Sequence, residues 1–160
     1  MSSGRRVEAL KLLKNGLAIS RETGTGFFGP AILGALALTT EDPQERQTAL
    51  TEGEALLATG CVSHNYLLFY PDAMEASLIA GDWDGVERYA AALEAYTRPE
   101  PLPWANLRIA RGRALARYDR GERGEPMIRE LRRLREEADR VGWKTALPAL
   151  ERALVAAEAF

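Results

Sequence analysis

Two side chains capable of nucleophilic and acid–base chemistry, Cys61 and His64, lie three residues apart. A Cys–His pair works when the side chains meet and a third group orients the imidazole. No acidic residue falls within 63–70 to be that group. One cysteine and one histidine also fall short of the three or four ligands of a zinc site. We therefore interpret Cys61 as packed and His64 as a capping or half-exposed residue, with no catalytic or metal site.

Two pairs of neighbouring carboxylates, Asp82/Asp84 and Glu136/Glu137, are formal candidates for a general acid and base. Such pairs catalyse reactions when a dry cleft shifts one of the two pKa values, and no such cleft is indicated by the sequence. Asp82 follows a glycine and precedes an apolar repeat, which is typical of a helix N-cap. We expect the other three carboxylates to lie on solvated helix faces.

A glycine run, Gly24-x-Gly26-x-x-Gly29, matches the pattern of dinucleotide-binding loops. That function requires a preceding strand and a following helix, whereas here a predicted helix comes first. The P-loop motif G-x-x-x-x-G-K-[ST] is absent from the sequence. We therefore predict a flexible turn at 24–29 and no cofactor.

An arginine-rich stretch at 108–140 holds eleven arginines and seven acids. Arginines on one helical face could contact phosphates, which makes a nucleic-acid-binding helical domain one alternative. The acids recur three and four residues from the arginines, where helical side chains pair. The whole chain has a net charge of −2. Salt-bridged helix faces are therefore favoured over nucleic acid.

Aromatic residues concentrate in the middle of the chain, with seven of twelve in 66–104, which is also an acidic stretch. Large aromatics beside carboxylates are what a groove for a basic peptide offers. They equally fill the core between stacked helices. The residues predicted to contact a protein or peptide partner are Tyr66, Tyr70, Tyr89, Tyr96 and Trp104. Trp83 is instead predicted to be buried at a turn.

The elements that must position these residues are predicted to be helices. Alanine and leucine account for 48 residues and the β-branched valine and isoleucine for only ten, a ratio that favours an all-α fold. Helical spacing and Gly/Pro stops predict eight helices, at about 5–22, 28–40, 43–59, 64–80, 83–97, 104–119, 125–141 and 144–158. Pro71 is predicted to kink or delay the fourth helix, and Pro148 to interrupt the last.

The helices are predicted to form one domain, 1–160, of stacked antiparallel hairpins. Leu36, Leu78 and Leu115 each precede a turn and are spaced 42 and 37 residues apart, within the range of helix-pair repeats. A single pair cannot bury its own apolar face, so neighbouring pairs must stack. A compact bundle with irregular crossing angles is the alternative.

Two segments, GRRVEALKLLKNGLAIS at 4–20 and GDWDGVERYAAALEAY at 81–96, resemble the turn and second helix of tetratricopeptide repeats. Gly4 and Gly81 would occupy the turn. Gly16 matches the position where a small residue is usual, whereas Leu93 does not. The resemblance implies an α-solenoid of the tetratricopeptide-repeat type.

Longer segments resemble the C-terminal helical region of large bacterial adenylate cyclases and related ATP-binding regulators. They are GLAISRETGTGFFGPAILGALAL, GCVSHNYLLFY and TRPEPLPWANLRIARGRALA. The resemblance implies a C-terminal piece of a signalling protein, with cyclase and ATPase domains upstream that this chain lacks. It further implies a non-catalytic interaction or regulatory scaffold, bound by a protein, a peptide or those upstream domains. A small helical enzyme is the second alternative.

Chain-wide features bear on location. No apolar run approaches 18 residues, so we expect no membrane span, and the N-terminus lacks a secretory signal. A single cysteine fits the reducing cytoplasm, where we expect this protein.

In the repeat register the first predicted helix, 5–22, is the second helix of a pair. We expect the strip of this helix that would face the first helix of the pair to be exposed. We expect self-association through this strip. Its residues are Val7, Leu10, Lys11, Lys14 and Ile19.

Overall fold

The computed structural model describes residues 3–24 and 26–158, and all regular structure within these ranges is helical. The helices are α1 (Ser3–Thr23), α2 (Gly29–Thr39), α3 (Pro43–Ala58), α4 (His64–Ala80), α5 (Trp83–Thr97), α6 (Pro103–Asp119), α7 (Glu125–Arg140) and α8 (Leu147–Glu158). A short 3-10 turn, Lys144–Ala146, precedes α8. The predicted all-α class and the eight helices are confirmed. None of the described helices is both long and apolar enough to cross a membrane.

Several helix ends follow the sequence rules directly. The Asp42 carboxylate accepts a hydrogen bond of 2.9 Å from Gln44 N, and the Asp82 carboxylate accepts one of 2.9 Å from Gly85 N. Each thereby satisfies one of the N–H groups that a helix start leaves without an intrahelical partner. The N-cap predicted at Asp82 is confirmed, and Asp42 caps α3 in the same way.

The two prolines behave differently from the prediction. Pro71 is buried inside a continuous α4, so the helix does not start late. Pro148 is the second residue of α8, where a helix does not need the missing N–H, so it begins a helix and does not interrupt one.

The chain divides into two compact units, Met1–Ala80 (the N-terminal unit) and Gly81–Phe160 (the C-terminal unit). In the N-terminal unit α2 packs against α1, α3 and α4, and α3 also contacts α4. In the C-terminal unit α6 likewise packs against α5, α7 and α8, and α7 also contacts α8. Each unit therefore has the packing order of helical-hairpin repeats.

The core of the N-terminal unit is built around Phe69, which is fully buried. A Cβ added to Gly34 of α2 would lie 3.1 Å from Phe69 Cα, so α2 and α4 approach closely there. A Cβ added to Gly53 of α3 would lie 2.1 Å from the Phe69 ring. A methyl group at position 53 would overlap the ring, and one at position 34 would lie tightly against the Phe69 backbone.

The core of the C-terminal unit relies on larger aliphatic side chains. Its fully buried members include Val86, Leu93, Leu131, Leu134 and Leu150. Tyr89 and Arg111 are buried with them, at 1% and 2% exposure.

Trp83 corrects one expectation. It is half-buried, not buried, and its indole lies 3.6 Å from the position that a Cβ of Gly81 would occupy. The indole therefore covers the turn before α5 and does not belong to the buried core.

Opposite charges of two segments of the N-terminal unit pair with each other. The basic α1 and the acidic segment 41–52 are joined by three ion pairs, Arg6–Glu41, Lys14–Glu45 and Arg21–Glu52. Because Lys14 and the Thr40 hydroxyl both donate to the Glu45 carboxylate, the pKa of Glu45 is lowered.

Candidate functional site

A groove in the C-terminal unit lies between the start of α6 and the end of α7, with a volume of about 550 Å³. Its apolar lining is Pro103, Trp104, Leu107, Val141 and Trp143, and its charged lining is Arg108, Glu137 and Arg140. We call it the tryptophan groove. Its size falls within the usual range of small-molecule and peptide side-chain pockets, about 300–1,000 Å³.

One wall is a stripe along α6. Pro103 occupies the first helical position, where its fixed φ favours helix initiation. Trp104, Leu107, Arg108 and Arg111 then follow at intervals of three and four, so their side chains lie on one face. The helix start thus fixes where Trp104 enters the groove.

The other wall depends on how α7 ends. Gly142 has a φ of +76°, and its N–H bonds to Asp139 O at 3.0 Å. The N–H of Trp143 bonds to Ala138 O at 2.8 Å. Together these bonds form a Schellman motif, which turns the chain back across the helix end. The motif carries the Trp143 indole back to α6.

The Trp143 ring contacts two arginine side chains of α6. The Arg108 guanidinium lies 4.5 Å from the centroid of the Trp143 ring, and that of Arg111 lies 5.2 Å from it. Both distances are within the cation–π range. Because the Arg111 side chain is buried, this contact also provides part of the stabilisation that a buried cation requires.

An ion pair stands at the rim of the groove. Arg140 donates hydrogen bonds from Nε and Nη2 to the Glu137 carboxylate, at 3.0 and 2.6 Å. These bonds lower the pKa of Glu137 and raise that of Arg140. With Arg108 counted, the lining carries two positive charges and one negative charge.

The five predicted partner-binding residues divide between the units. In the C-terminal unit Trp104 is 42% exposed and lines the groove, and Tyr96 is half-buried on α5. Tyr89 is 1% exposed, so its prediction as a partner contact is wrong. A residue at that register faces the α5 core together with Val86 and Leu93.

The two remaining tyrosines lie on α4 of the N-terminal unit, half-buried, with their rings 6.1 Å apart. The Tyr66 hydroxyl donates to Leu57 O at 3.0 Å and accepts from Cys61 N at 3.4 Å. Tyr66 therefore fixes the connection between α3 and α4.

The surroundings of Trp104 also differ from the acidic ones that we predicted, because the charged residues that line the groove with it are two arginines and one glutamate. Sequence reasoning missed Trp143 and Arg140. The signal for Trp143 was available in Val141-Gly142-Trp143, since a glycine directly after a helix favours the Schellman turn that carries Trp143 back.

Cys61 and His64 are each bonded to a backbone carbonyl. The Cys61 thiol donates to Leu56 O at 3.3 Å, and His64 Nε2 lies 2.5 Å from Phe27 O. Partial burial raises the pKa of the Cys61 thiol, which makes it a weaker nucleophile at neutral pH.

The glycine run forms a turn between two helices. Gly24 has a φ of +118° directly after α1, and Gly29 begins α2. The Gly26 carbonyl accepts from Val62 N at 3.3 Å and from the Asn65 side-chain amide at 3.2 Å. Within the described ranges no group of three His, Cys, Asp or Glu side chains is placed to hold a metal ion.

Many arginines of the 108–140 stretch pair with carboxylates of the C-terminal unit. Arg113 contacts both Glu87 (2.8 Å) and Glu94 (2.9 Å), which raises the pKa of Arg113 and lowers that of Glu94. Arg120 pairs with Asp84. The excess charge predicted for this stretch is thus balanced in part by α5.

Comparisons of the chain with family models, with curated proteins and with solved structures return no match. Function is therefore inferred from the tryptophan groove and from the distribution of paired and exposed charges.

Proposed function

We propose that this chain is a non-catalytic interaction scaffold of helical hairpins that binds a protein or peptide partner in the tryptophan groove. The observation that carries this proposal is the exposure of Trp104 (42%) and Val141 (50%) beside Trp143 in one concave site. Exposed aromatics in a pocket, surrounded by polar groups, are typical of the residues that dominate protein interfaces.

We further propose that the chain comes from a cytoplasmic bacterial signalling protein, either adenylate cyclase-like or an ATP-binding transcriptional regulator. This part rests on the sequence resemblance, whose segment 97–116 contains Trp104 and Arg108. The partner would then be another protein or an upstream domain of the same polypeptide.

Nucleic acid binding through 108–140 is the weaker candidate. Phosphate contacts would have to replace existing ion pairs such as Arg113–Glu87 and Arg120–Asp84, which cancels much of the electrostatic gain. The alternative of a small helical enzyme would be supported by an activity that copurifies with the chain.

The proposal is tested by selecting peptides from a random phage-displayed library against the full chain. We expect enriched sequences whose binding is lost in Trp104→Ala. Arg133→Gln is the matched control, since Arg133 is an exposed residue of α7 outside the groove lining. Melting curves of both variants verify folding.

Two outcomes would contradict the interaction scaffold. One is a library that yields no enriched peptide, and the other is enrichment that Trp104→Ala leaves unchanged, which would place binding elsewhere. Tight, steeply salt-dependent binding of a labelled duplex with no peptide binding would favour the nucleic-acid alternative.

A further inference from the structure

We infer that the tryptophan groove recognises an uncharged, proline-containing segment of the partner in the polyproline II conformation. One proline ring packs against the Trp104 indole, and a carbonyl of the segment accepts a hydrogen bond from Trp104 Nε1. This inference rests on the proposed function and deepens it, since it names the chemistry of the peptide. It departs from the basic peptide that the acidic, aromatic stretch 66–104 suggests.

The first argument concerns the charged groups of the lining, each of which already contacts another group of the protein. The Glu137 carboxylate accepts two hydrogen bonds from Arg140, at 3.0 and 2.6 Å. The Arg108 guanidinium lies 4.5 Å from the centroid of the Trp143 ring. A charged ligand would have to compete with these contacts and give up part of its own hydration, whereas an uncharged ligand leaves them intact. The groove is therefore complementary to a neutral segment.

The second argument concerns hydrogen-bonding capacity. Trp104 and Trp143 both line the groove, and within the part of the chain that the structure describes neither indole N–H donates a hydrogen bond. The carboxylate of the lining, Glu137, is already an acceptor for Arg140. A ligand that brings carbonyl oxygens and few N–H groups therefore matches these side chains. Proline has no backbone N–H, so each proline removes a donor that would otherwise need an acceptor.

The third argument concerns the apolar surface of the groove. Trp104 is 42% exposed at the start of α6 and Val141 is 50% exposed directly after α7, with Leu107 also in the lining. Covering these side chains with proline rings is favourable in proportion to the apolar area buried. Because a polyproline II helix is largely formed before it binds, it loses less conformational entropy than a flexible apolar chain. Aromatic-lined grooves recognise proline-rich segments in this way.

A single-stranded nucleic acid would also place ring systems against exposed indoles. Its affinity depends on pairing phosphates with cations, and the two arginines of the lining, Arg108 and Arg140, already contact Trp143 and Glu137. The proline-containing peptide is therefore favoured, and an oligonucleotide serves as a competing ligand in the test.

The test titrates short peptides into the full chain while the indole N–H signals of its three tryptophans are followed by NMR. The probe is acetyl-Pro-Pro-Leu-Pro-Pro-amide, and its matched control, acetyl-Ala-Ala-Leu-Ala-Ala-amide, keeps the leucine but lacks the rigid rings. We expect the probe to move the Trp104 and Trp143 signals and to leave that of Trp83, which is outside the groove lining, unchanged. Its dissociation constant should be about tenfold lower than that of the control, because prolines reduce the entropy lost on binding.

The neutrality of the partner is tested with two further peptides, in which glutamate or lysine replaces the leucine of the probe. We expect both to bind more weakly than the probe, since neither charge finds a partner that is not already engaged. The affinity of the probe should change by less than about twofold between roughly 50 and 500 mM salt, because its binding forms no ion pair.

Two substitutions separate the ring of Trp104 from its N–H. Trp104→Phe keeps an aromatic ring and removes the donor, so the affinity for the probe should fall about threefold to tenfold. Trp104→Ala removes both and should abolish measurable binding. If Trp104→Ala disturbs the fold, the conservative Trp104→Phe keeps the test valid. Arg133→Gln, at an exposed position of α7 outside the lining, is the control and should bind the probe like the parent chain.

The inference is overturned if the probe moves neither groove indole signal, if the alanine peptide binds as tightly, or if the glutamate or lysine peptide binds more tightly. It is also overturned if Trp104→Phe leaves the affinity for the probe unchanged, or if an oligothymidylate of about six nucleotides binds more tightly than the probe. In each case library peptides that depend on Trp104 but lack proline would still leave the interaction scaffold standing, so the two failures are distinguishable.

Discussion

The two units share a packing order but use it differently. In both, the second helix contacts the other three. The N-terminal unit achieves this with glycines, Gly34 and Gly53, against a buried Phe69. The C-terminal unit uses leucines and a buried Arg111. Helices that meet through glycines can approach more closely than helices that meet through leucines.

Their exposed apolar residues differ accordingly. In the N-terminal unit several lie singly along α1, and Phe27 and Phe28 lie on the loop before α2, where the Asn65 amide donates to Phe27 O at 2.9 Å. In the C-terminal unit Trp104 and Val141 lie on the walls of one groove beside charged groups. Concave placement with adjacent arginines is why the C-terminal unit, and not the N-terminal one, carries the binding proposal.

The largest expected loss of stability comes from a substitution that disrupts the glycine-based packing of the N-terminal unit. Gly53→Ala places a methyl carbon 2.1 Å from the Phe69 ring, which must shift within a packed core. We expect a loss of about 2–3 kcal/mol in the free energy of unfolding, measured by urea denaturation. Gly16→Ala is the matched control, because its Cβ would meet only Ile32 Cδ1 at 3.6 Å. That variant should gain up to about 1 kcal/mol from helix propensity, and equal stability of the two variants would contradict the account of the core.

A smaller effect is expected at Trp83 in the C-terminal unit. Since this indole is half-buried over Gly81, Trp83→Ala should cost about 1–2 kcal/mol, less than the 3–5 kcal/mol typical of a fully buried tryptophan. Thermal and urea unfolding of the variant give the value. A loss above 4 kcal/mol would show that Trp83 belongs to the core after all.

Acid pH should lower the free energy of unfolding of both units, through the protonation of one carboxylate in each. The pKa of Glu45 is lowered by Lys14 and Thr40, and that of Glu94 by Arg113. A lowered folded-state pKa means that the native protein binds fewer protons than the unfolded chain, so stability is lost as the pH falls below the ordinary glutamate value of 4.5. Both groups are near the surface, so each should contribute less than about 1 kcal/mol.

Urea denaturation at a series of pH values between neutral and acidic checks this expectation, with Glu45→Gln and Glu94→Gln as variants. Each substitution should flatten the acid limb of the stability curve. An unchanged pH dependence in both variants would show that these ion pairs add nothing to the stability of either unit.

The smallest effect on stability is expected along α1, where self-association stays a prediction. Val7 and Ile19 of the expected strip are 66% and 60% exposed, Leu10 is half-buried, and Leu12, which was not expected, is 64% exposed. Leu12→Ser should change the free energy of unfolding by less than about 0.5 kcal/mol, as for other exposed sites. If α1 mediates association, the variant should reduce concentration-dependent dimerisation in sedimentation experiments. A dimer that persists unchanged in Leu12→Ser combined with Ile19→Ser would exclude this surface.

Local spacing in the sequence was sufficient to predict the eight helices and the cap at Asp82. Leu131, Leu134 and Ala138 of α7 are buried as their period predicts. These features depend on residues within a few positions of one another. A helical hydrogen bond joins an N–H to the carbonyl four residues earlier, and a capping bond is equally local. The same local rules misjudged Pro148, since they do not show where the preceding turn ends.

Tertiary structure alone decided which aromatic and charged residues form a site. Tyr89 and Trp104 both belong to the aromatic stretch, but packing buries the first and exposes the second. The contact between Arg111 and Trp143 joins residues 32 positions apart, and its existence depends on how α6 and α7 pack. The sequence around an arginine does not show whether its side chain will contact a carboxylate, an indole or water. That contact depends on which helix packs beside it.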